Sequence, residues 1–72
     1  MSLRTVSIRA GTRLDQLLKC INIVSTGGEA KSIIQSGEVS VNGKVETRRG
    51  YKLKEGDTVD VKGVSLKVSL KE

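Results

Sequence analysis

Apolar positions along this chain follow two periods, and the change falls near Gly37. Between Leu14 and Ile34 they recur every three or four residues, the spacing that lines one face of an α-helix. From Val39 onward they alternate, as a strand with one buried face requires. Thr5 to Arg9 also alternates, with Val6 and Ile8 on one side, and predicts a short edge strand.

Cap and turn residues divide these runs into elements. Gly11 breaks the chain, and Thr12-Arg13-Leu14-Asp15 reads as a capping box in which the Thr12 hydroxyl and the Asp15 carboxylate satisfy orphan amides. Leu14, Leu17, Leu18 and Ile21 then form the apolar stripe of a first helix of roughly two to three turns. A second capping box occurs at Thr26-Gly27-Gly28-Glu29, followed by a narrow apolar face of Ala30, Ile33 and Ile34. Gly37 is placed to end that helix in a left-handed conformation. Asn22 to Ser25 joins the two as a helical hairpin.

Beyond Gly37 the turns are those of β-hairpins. Val39 and Val41 share a face, Asn42-Gly43 suits the positive φ angles of a type I′ turn, and Lys44 to Thr47 forms the return. Arg48 to Glu55 reads as an irregular loop with Leu53 anchoring it to the core, and Gly56-Asp57 makes a further turn. Val59 and Val61 lie on the next strand, Lys62-Gly63 reverses the chain, and Val64, Leu66, Val68 and Leu70 share a face of the last. The expected fold is α+β: a two-helix hairpin packed on a small antiparallel β-sheet, in one domain spanning residues 1–72.

Composition narrows the function. A 72-residue chain with Tyr51 as its only aromatic builds a thin aliphatic core and has little room for an enclosed pocket. Thirteen Lys and Arg against eight Asp and Glu give a net charge of +5, which favours nucleic acid, an anionic membrane surface or solubility alone. With no His and a single Cys20, the chain lacks an intramolecular disulfide, His-based catalysis and the common metal-ligand spacings. Cys20 falls at the edge of the first helical stripe and reads as a small packing residue. No segment approaches the ~18 apolar residues of a membrane span, and no signal-peptide core is present. Asp15 and Glu29 read as caps and Asp57 as a turn residue, so no nucleophile–base pair or carboxylate dyad assembles. The expectation is a cytoplasmic protein that is not an enzyme, with no cofactor, metal, membrane or small-molecule substrate.

What remains is a cluster of positive charge beside a tight turn. Lys44, Arg48, Arg49, Lys52 and Lys54 are opposed only by Glu46 and Glu55. Either these charges are a solvated loop, or the adjacent guanidiniums of Arg48 and Arg49 address neighbouring phosphates through two-pronged hydrogen bonds. Gly27-Gly28 is open to two readings as well. The pair begins the second helix and permits close packing on the first, or it leaves bare amides at a positive helix terminus for a phosphate, with Lys31 one turn on. Tyr51 either stacks on an unpaired base or covers the core edge. Asn42 is first a turn residue.

The order of these residues resembles a known family. Arg13-Leu14-Asp15-x-x-Leu18, then Ala30 and Ile34, then Gly37-x-Val39-x-Val41-Asn42-Gly43 and Gly56-Asp57-x-Val59 look like the RNA-binding domain of the ribosomal protein S-four type, the alpha-L RNA-binding motif. Gly27-Gly28-x-Ala30-Lys31 and Arg48-Arg49-Gly50-x-Lys52-Leu53 are similar to its small stand-alone bacterial members. The resemblance implies that structured RNA, ribosomal or transfer RNA, free or on a ribosomal subunit, lies across the helical hairpin and the loop after the Val-Asn-Gly turn. The contacts it implies are Arg13, Gly27, Gly28, Lys31, Asn42, Lys44, Arg48, Arg49 and Lys52, in a role in ribosome assembly or translation. Many members begin the second helix with Ser-Arg. Gly27-Gly28 stands there instead and removes one phosphate-binding arginine, which Lys31 replaces only as a point charge.

Two other functions fit parts of the pattern. A protein-interaction adaptor within a ribonucleoprotein complex would use the sheet or its edge. A β-grasp sulfur carrier shares the Val-Asn-Gly and Gly-Asp-x-Val phrases but needs a C-terminal Gly-Gly, and this chain ends Leu70-Lys71-Glu72.

Overall fold

The first and last strands of this protein lie side by side. The computed structural model describes residues 3–71. The chain runs β1 (Leu3–Arg9), α1 (Leu14–Cys20), α2 (Gly27–Gln35), β2 (Val39–Val41), β3 (Lys44–Val45), β4 (Thr58–Val61) and β5 (Val64–Lys71). All strands join one sheet in the order β1-β5-β4-β2-β3. β1 is an edge strand, as its pattern predicts, but it pairs with β5 in parallel, from Leu3↔Ser65 to Arg9↔Lys71. The remaining pairs are antiparallel, so the sheet is mixed where local patterning predicts a purely antiparallel one. Hairpins mark themselves with turn residues; a strand returning beside the start of the chain leaves no local mark.

The helices cover one face of the sheet. Leu14, Leu17 and Leu18 of α1 and Ala30 and Ile34 of α2 are fully buried against Val39, Val59, Val61, Leu66 and Val68. The alternation Val59/Val61 and Leu66/Val68 places these side chains inward, while Asp60 and Lys67 point away. Val24, in the connection between the helices, is buried as well, because the amides of Ile23 and Val24 both reach the Leu18 carbonyl. Cys20 is exposed and does not pack in the core, contrary to its place on the stripe: α1 ends there, before the next turn of helix can cover it.

Both helix starts and one helix stop follow from the sequence with one shift. At α2 the expected box forms: Thr26 Oγ1 accepts from the Glu29 amide at 3.1 Å, and Glu29 Oε1 accepts from the Ser25 amide at 2.9 Å. Its far end is a Schellman motif, with Gly37 at φ +84° and the Glu38 amide donating to Ile33 O. At α1 the cap lies one residue later than expected. The Thr12 hydroxyl donates to Arg9 O instead, Arg13 is the N-cap, and Gln16 Oε1 accepts from the Arg13 amide at 3.0 Å. Asn42 and Gly43 have φ of +53° and +84°, as the type I′ turn requires. The return strand is shorter than Lys44 to Thr47, because after Val45 the chain leaves the sheet to form the basic loop.

Candidate nucleic-acid interface

The basic loop is held on three sides. The first two amides of α1 have no partner within the helix, and loop carbonyls supply them: Leu14 N–H donates to Tyr51 O at 2.9 Å and Asp15 N–H to Arg49 O at 3.3 Å. Leu53 N–H returns the bond to Thr12 O at 2.9 Å, so Arg13 and Lys52 face each other across a short antiparallel bridge. Leu53 itself is buried in the core, as expected.

The third hold is Asp57, which the sequence presents only as a turn residue. It is the one buried charged residue among those described. Its Oδ1 accepts from Asn42 Nδ2, and its Oδ2 accepts from the Tyr51 hydroxyl and the Lys54 amide, each at 2.9 Å. The carboxylate thus ties the Asn-Gly turn to the basic loop. Burial pushes its pKa up, but the hydrogen bonds from Asn42, the Lys54 amide and Tyr51 outweigh this and hold it below the ordinary aspartate value. A lowered folded-state pKa contributes stability that is present above the unfolded value, near ~4, and is lost as pH falls through the folded one. Urea unfolding at a series of pH values is therefore expected to show stability falling below about pH 4, with a shallower fall in Asp57→Asn. An unchanged acid limb in that variant would remove Asp57 as its source.

Asn42 and Tyr51 are committed to this framework. Besides Asp57, Asn42 accepts from the Thr58 amide at 2.9 Å, so both ends of its side-chain amide hold the turn. Tyr51 is half-buried with its hydroxyl fixed, and the Arg48 guanidinium lies 5.7 Å from its ring centroid. It covers the core edge; of its two readings, the structure favours this one. Burial, then the bond to Asp57, raises its pKa.

The cations divide into engaged and unengaged. Arg48 makes a two-pronged pair with Glu46, at 3.0 and 3.1 Å, which also accepts from the Arg48 amide. These bonds lower the Glu46 pKa and raise that of Arg48. Arg13 Nε lies 3.6 Å from Asp15 Oδ1, a buried atom with no hydrogen-bond partner. No other ion pair occurs among the described residues, so two of the thirteen cations are paired. Arg49, Lys52 and Lys44 are exposed, and Lys44 sits opposite Val41 beside the Asn-Gly turn. Every described carboxylate except Asp15, which pairs with Arg13 alone, accepts a hydrogen bond within the protein. Glu38 and Asp60 take the hydroxyls of Ser36 and Ser65, and Glu55 takes the Leu70 amide.

Arg13, Arg48, Arg49 and Lys52 are therefore brought together, with Lys44 and Asn42 next to them. Gly27, Gly28 and Lys31 are not: no hydrogen bond or ion pair among the described residues links them to the loop, and the chain reaches them past the far end of α1, ~10 Å along its axis. A side chain at Gly27 would meet nothing within 4 Å, and one at Gly28 only Thr26 Oγ1 at 3.8 Å, so close packing is not the reason for the glycines. Lys31 is exposed on α2. No cluster of His, Cys, Asp and Glu suited to a metal ion occurs among the described residues, and no helix is long and apolar enough to cross a membrane.

The S4 domain profile matches residues 4–69. The chain belongs to the S4 domain family. This S4 domain is 42% identical over 50 residues to the probable ribosome maturation protein RlbA of Bacillus subtilis, covering 69% of this chain and 70% of that protein. It is 42% identical over 55 residues to YbcJ of Escherichia coli, covering 76% and 79%. The solution structure of YbcJ, described as having an alpha-L motif involved in RNA binding, superposes with a TM-score of 0.65 over 96% of this chain and 87% of the other, at 35% identity. The small ribosomal subunit protein uS4 of Nitrobacter winogradskyi is 41% identical over 58 residues, but this S4 domain spans only 28% of it.

Proposed function

We propose that this S4 domain is a non-catalytic, cytoplasmic RNA-binding module that holds structured RNA, ribosomal or transfer RNA, by its backbone and shape in ribosome assembly or translation. One observation carries the reading: eleven of the thirteen cations form no ion pair among the described residues, and Lys44, Arg49, Lys52 and Lys54 gather with Arg13 and Arg48 at one pinned loop. A fold seeking only solubility has no reason to fix the backbone beneath its charges at Arg49, Tyr51 and Leu53. Arg13, Lys44, Arg49 and Lys52 are the principal contacts, Arg48 joins them by exchanging Glu46 for a phosphate, and Lys31 with the Gly27 and Gly28 amides meets the RNA further along α1. Asn42 serves the site from behind. With Tyr51 pinned, the surface has no stacking platform, which suits shape readout of folded RNA over reading of bases.

The test is the salt dependence of binding to a structured RNA. With about four to six phosphates neutralised, log K should fall against log salt with a slope of roughly −3 to −5. Binding that ignores salt would overturn the reading.

The open space at α2 gives a second expectation. Gly27→Ser with Gly28→Arg should fold normally, gain about 1 kcal/mol by removing helix glycine, and tighten RNA binding by supplying a forked cation. Thermal melts and RNA titration check the two halves separately, and weaker binding in a more stable variant would exclude the α2 start from the contact surface.

A further inference from the structure

The face of the sheet turned away from the helices carries a second set of cations. Val6 pairs with Val68 and Ile8 with Leu70 on the core side, which leaves Thr5, Ser7 and Arg9 of β1 beside Lys67, Ser69 and Lys71 of β5 on the open side. All of these are exposed or half-exposed. Because β1 and β5 run parallel, Arg9 and Lys71 end the two strands as direct neighbours. Like charges placed opposite each other on adjacent strands cost stability, and no acid among the described residues offsets this pair. Asp60, the acid on that face, is bonded to the Ser65 hydroxyl, and Glu55, beside β5, is held by the Leu70 amide. Arg9 and Lys71 also border a groove of about 330 Å³ between the β1 edge and α1, lined by Ile8, Thr12, Gln16 and Cys20.

We propose that this corner of the open sheet face is a second surface for an RNA sugar-phosphate backbone, so that one domain holds two RNA segments at once. The inference rests on the RNA-binding reading of the loop. The chemistry is complementary throughout: Arg9, Lys67 and Lys71 meet phosphates, and the hydroxyls of Thr5, Ser7 and Ser69 meet phosphate oxygens and 2′-hydroxyls. An acidic peptide would be drawn by the same charge. The strand pair presents its cations and hydroxyls in a regular row, however, which matches the repeat of a polyanion that needs only charge and donors. The loop packs on the α1 start, whereas this surface runs along the β1–β5 strand pair.

Stoichiometry tests this, with a short RNA duplex as probe and the sedimentation of the complex as readout. The wild type should bind two duplexes at low salt. Arg9→Gln/Lys67→Gln/Lys71→Gln should bind one, with the affinity of that event unchanged. Arg49→Glu/Lys52→Glu should lose the tighter event and keep a weaker one whose salt slope is about −2 to −3. A wild type that binds one duplex, lost in the loop variant, overturns the proposal and leaves the loop reading standing. A triple variant that still binds two also overturns it. A wild type that binds no duplex defeats both readings, and an acidic peptide that competes more strongly than RNA for the triple-variant site reassigns the surface.

Discussion

Asp57→Ala is expected to cost this protein about 2–4 kcal/mol of folding stability and, with it, RNA affinity. Among the candidate contacts the residue touches only Asn42, yet its loss strands the Asn42 amide, the Tyr51 hydroxyl and the Lys54 N–H at once. Each bond to a charged acceptor contributes roughly 1.5–3 kcal/mol, and water entering the partly open site recovers some of the total. A chain of this length has a stability of only about 4–11 kcal/mol, so the variant sits close to unfolding. Urea denaturation measures the loss directly. Asp57→Asn supplies the finer comparison: it keeps one acceptor and the shape, and should fall between the two. If Asp57→Ala unfolds at the wild-type midpoint, the lock has no energetic weight and the loop is held by the α1 amides alone.

Arg49→Glu/Lys52→Glu is expected to do the opposite, lowering affinity for structured RNA by roughly two orders of magnitude at ~0.1 M salt while stability stays within about 0.5 kcal/mol. The separation is possible because the loop is anchored through backbone groups. The Arg49 and Tyr51 carbonyls and the Leu53 side chain do the holding, and the side chains of Arg49 and Lys52 are free to change. Arg48→Ala should have a smaller effect than Arg49→Ala, because Arg48 must first leave a two-pronged partner in Glu46. Affinity measured by titration alongside a thermal melt of each variant decides the matter. Retained affinity in the double variant would move the site away from the loop.

Much of this arrangement is legible in the sequence, and what is not has identifiable reasons. Both helices, the Gly37 stop and the Asn42-Gly43 turn are local features written in side chains, and the structure contains them. The Thr12 cap is misplaced by one residue because its hydroxyl had a competing acceptor in Arg9 O, which only the fold brings close. The closure of α1 by loop carbonyls is invisible to any reading of side chains, since the groups involved are the same in every residue. The cluster around Arg48 and Arg49 was visible as charge, but Glu46, two positions away, looked like dilution and is in fact the partner of one of them. Asp57 looked like punctuation because Gly56-Asp57 is a common turn; its reach to Asn42 and Tyr51 depends on three segments meeting. The close-packing explanation of Gly27-Gly28 is removed only by the open space around the pair.

The parallel pairing of β1 and β5 also sets the timing of folding. Among the described strands β1 pairs with β5 alone, so it stays unzipped until β5 is made. The hairpins of β2–β3 and β4–β5 close within microseconds once synthesised, but the β1–β5 clasp closes last and carries the cost of the longest loop among the strand pairs. At ~5–20 residues per second, a ribosome would hold this chain for seconds with an unpaired edge bearing Val6 and Ile8. Completion of the sheet should therefore wait on the β5 segment.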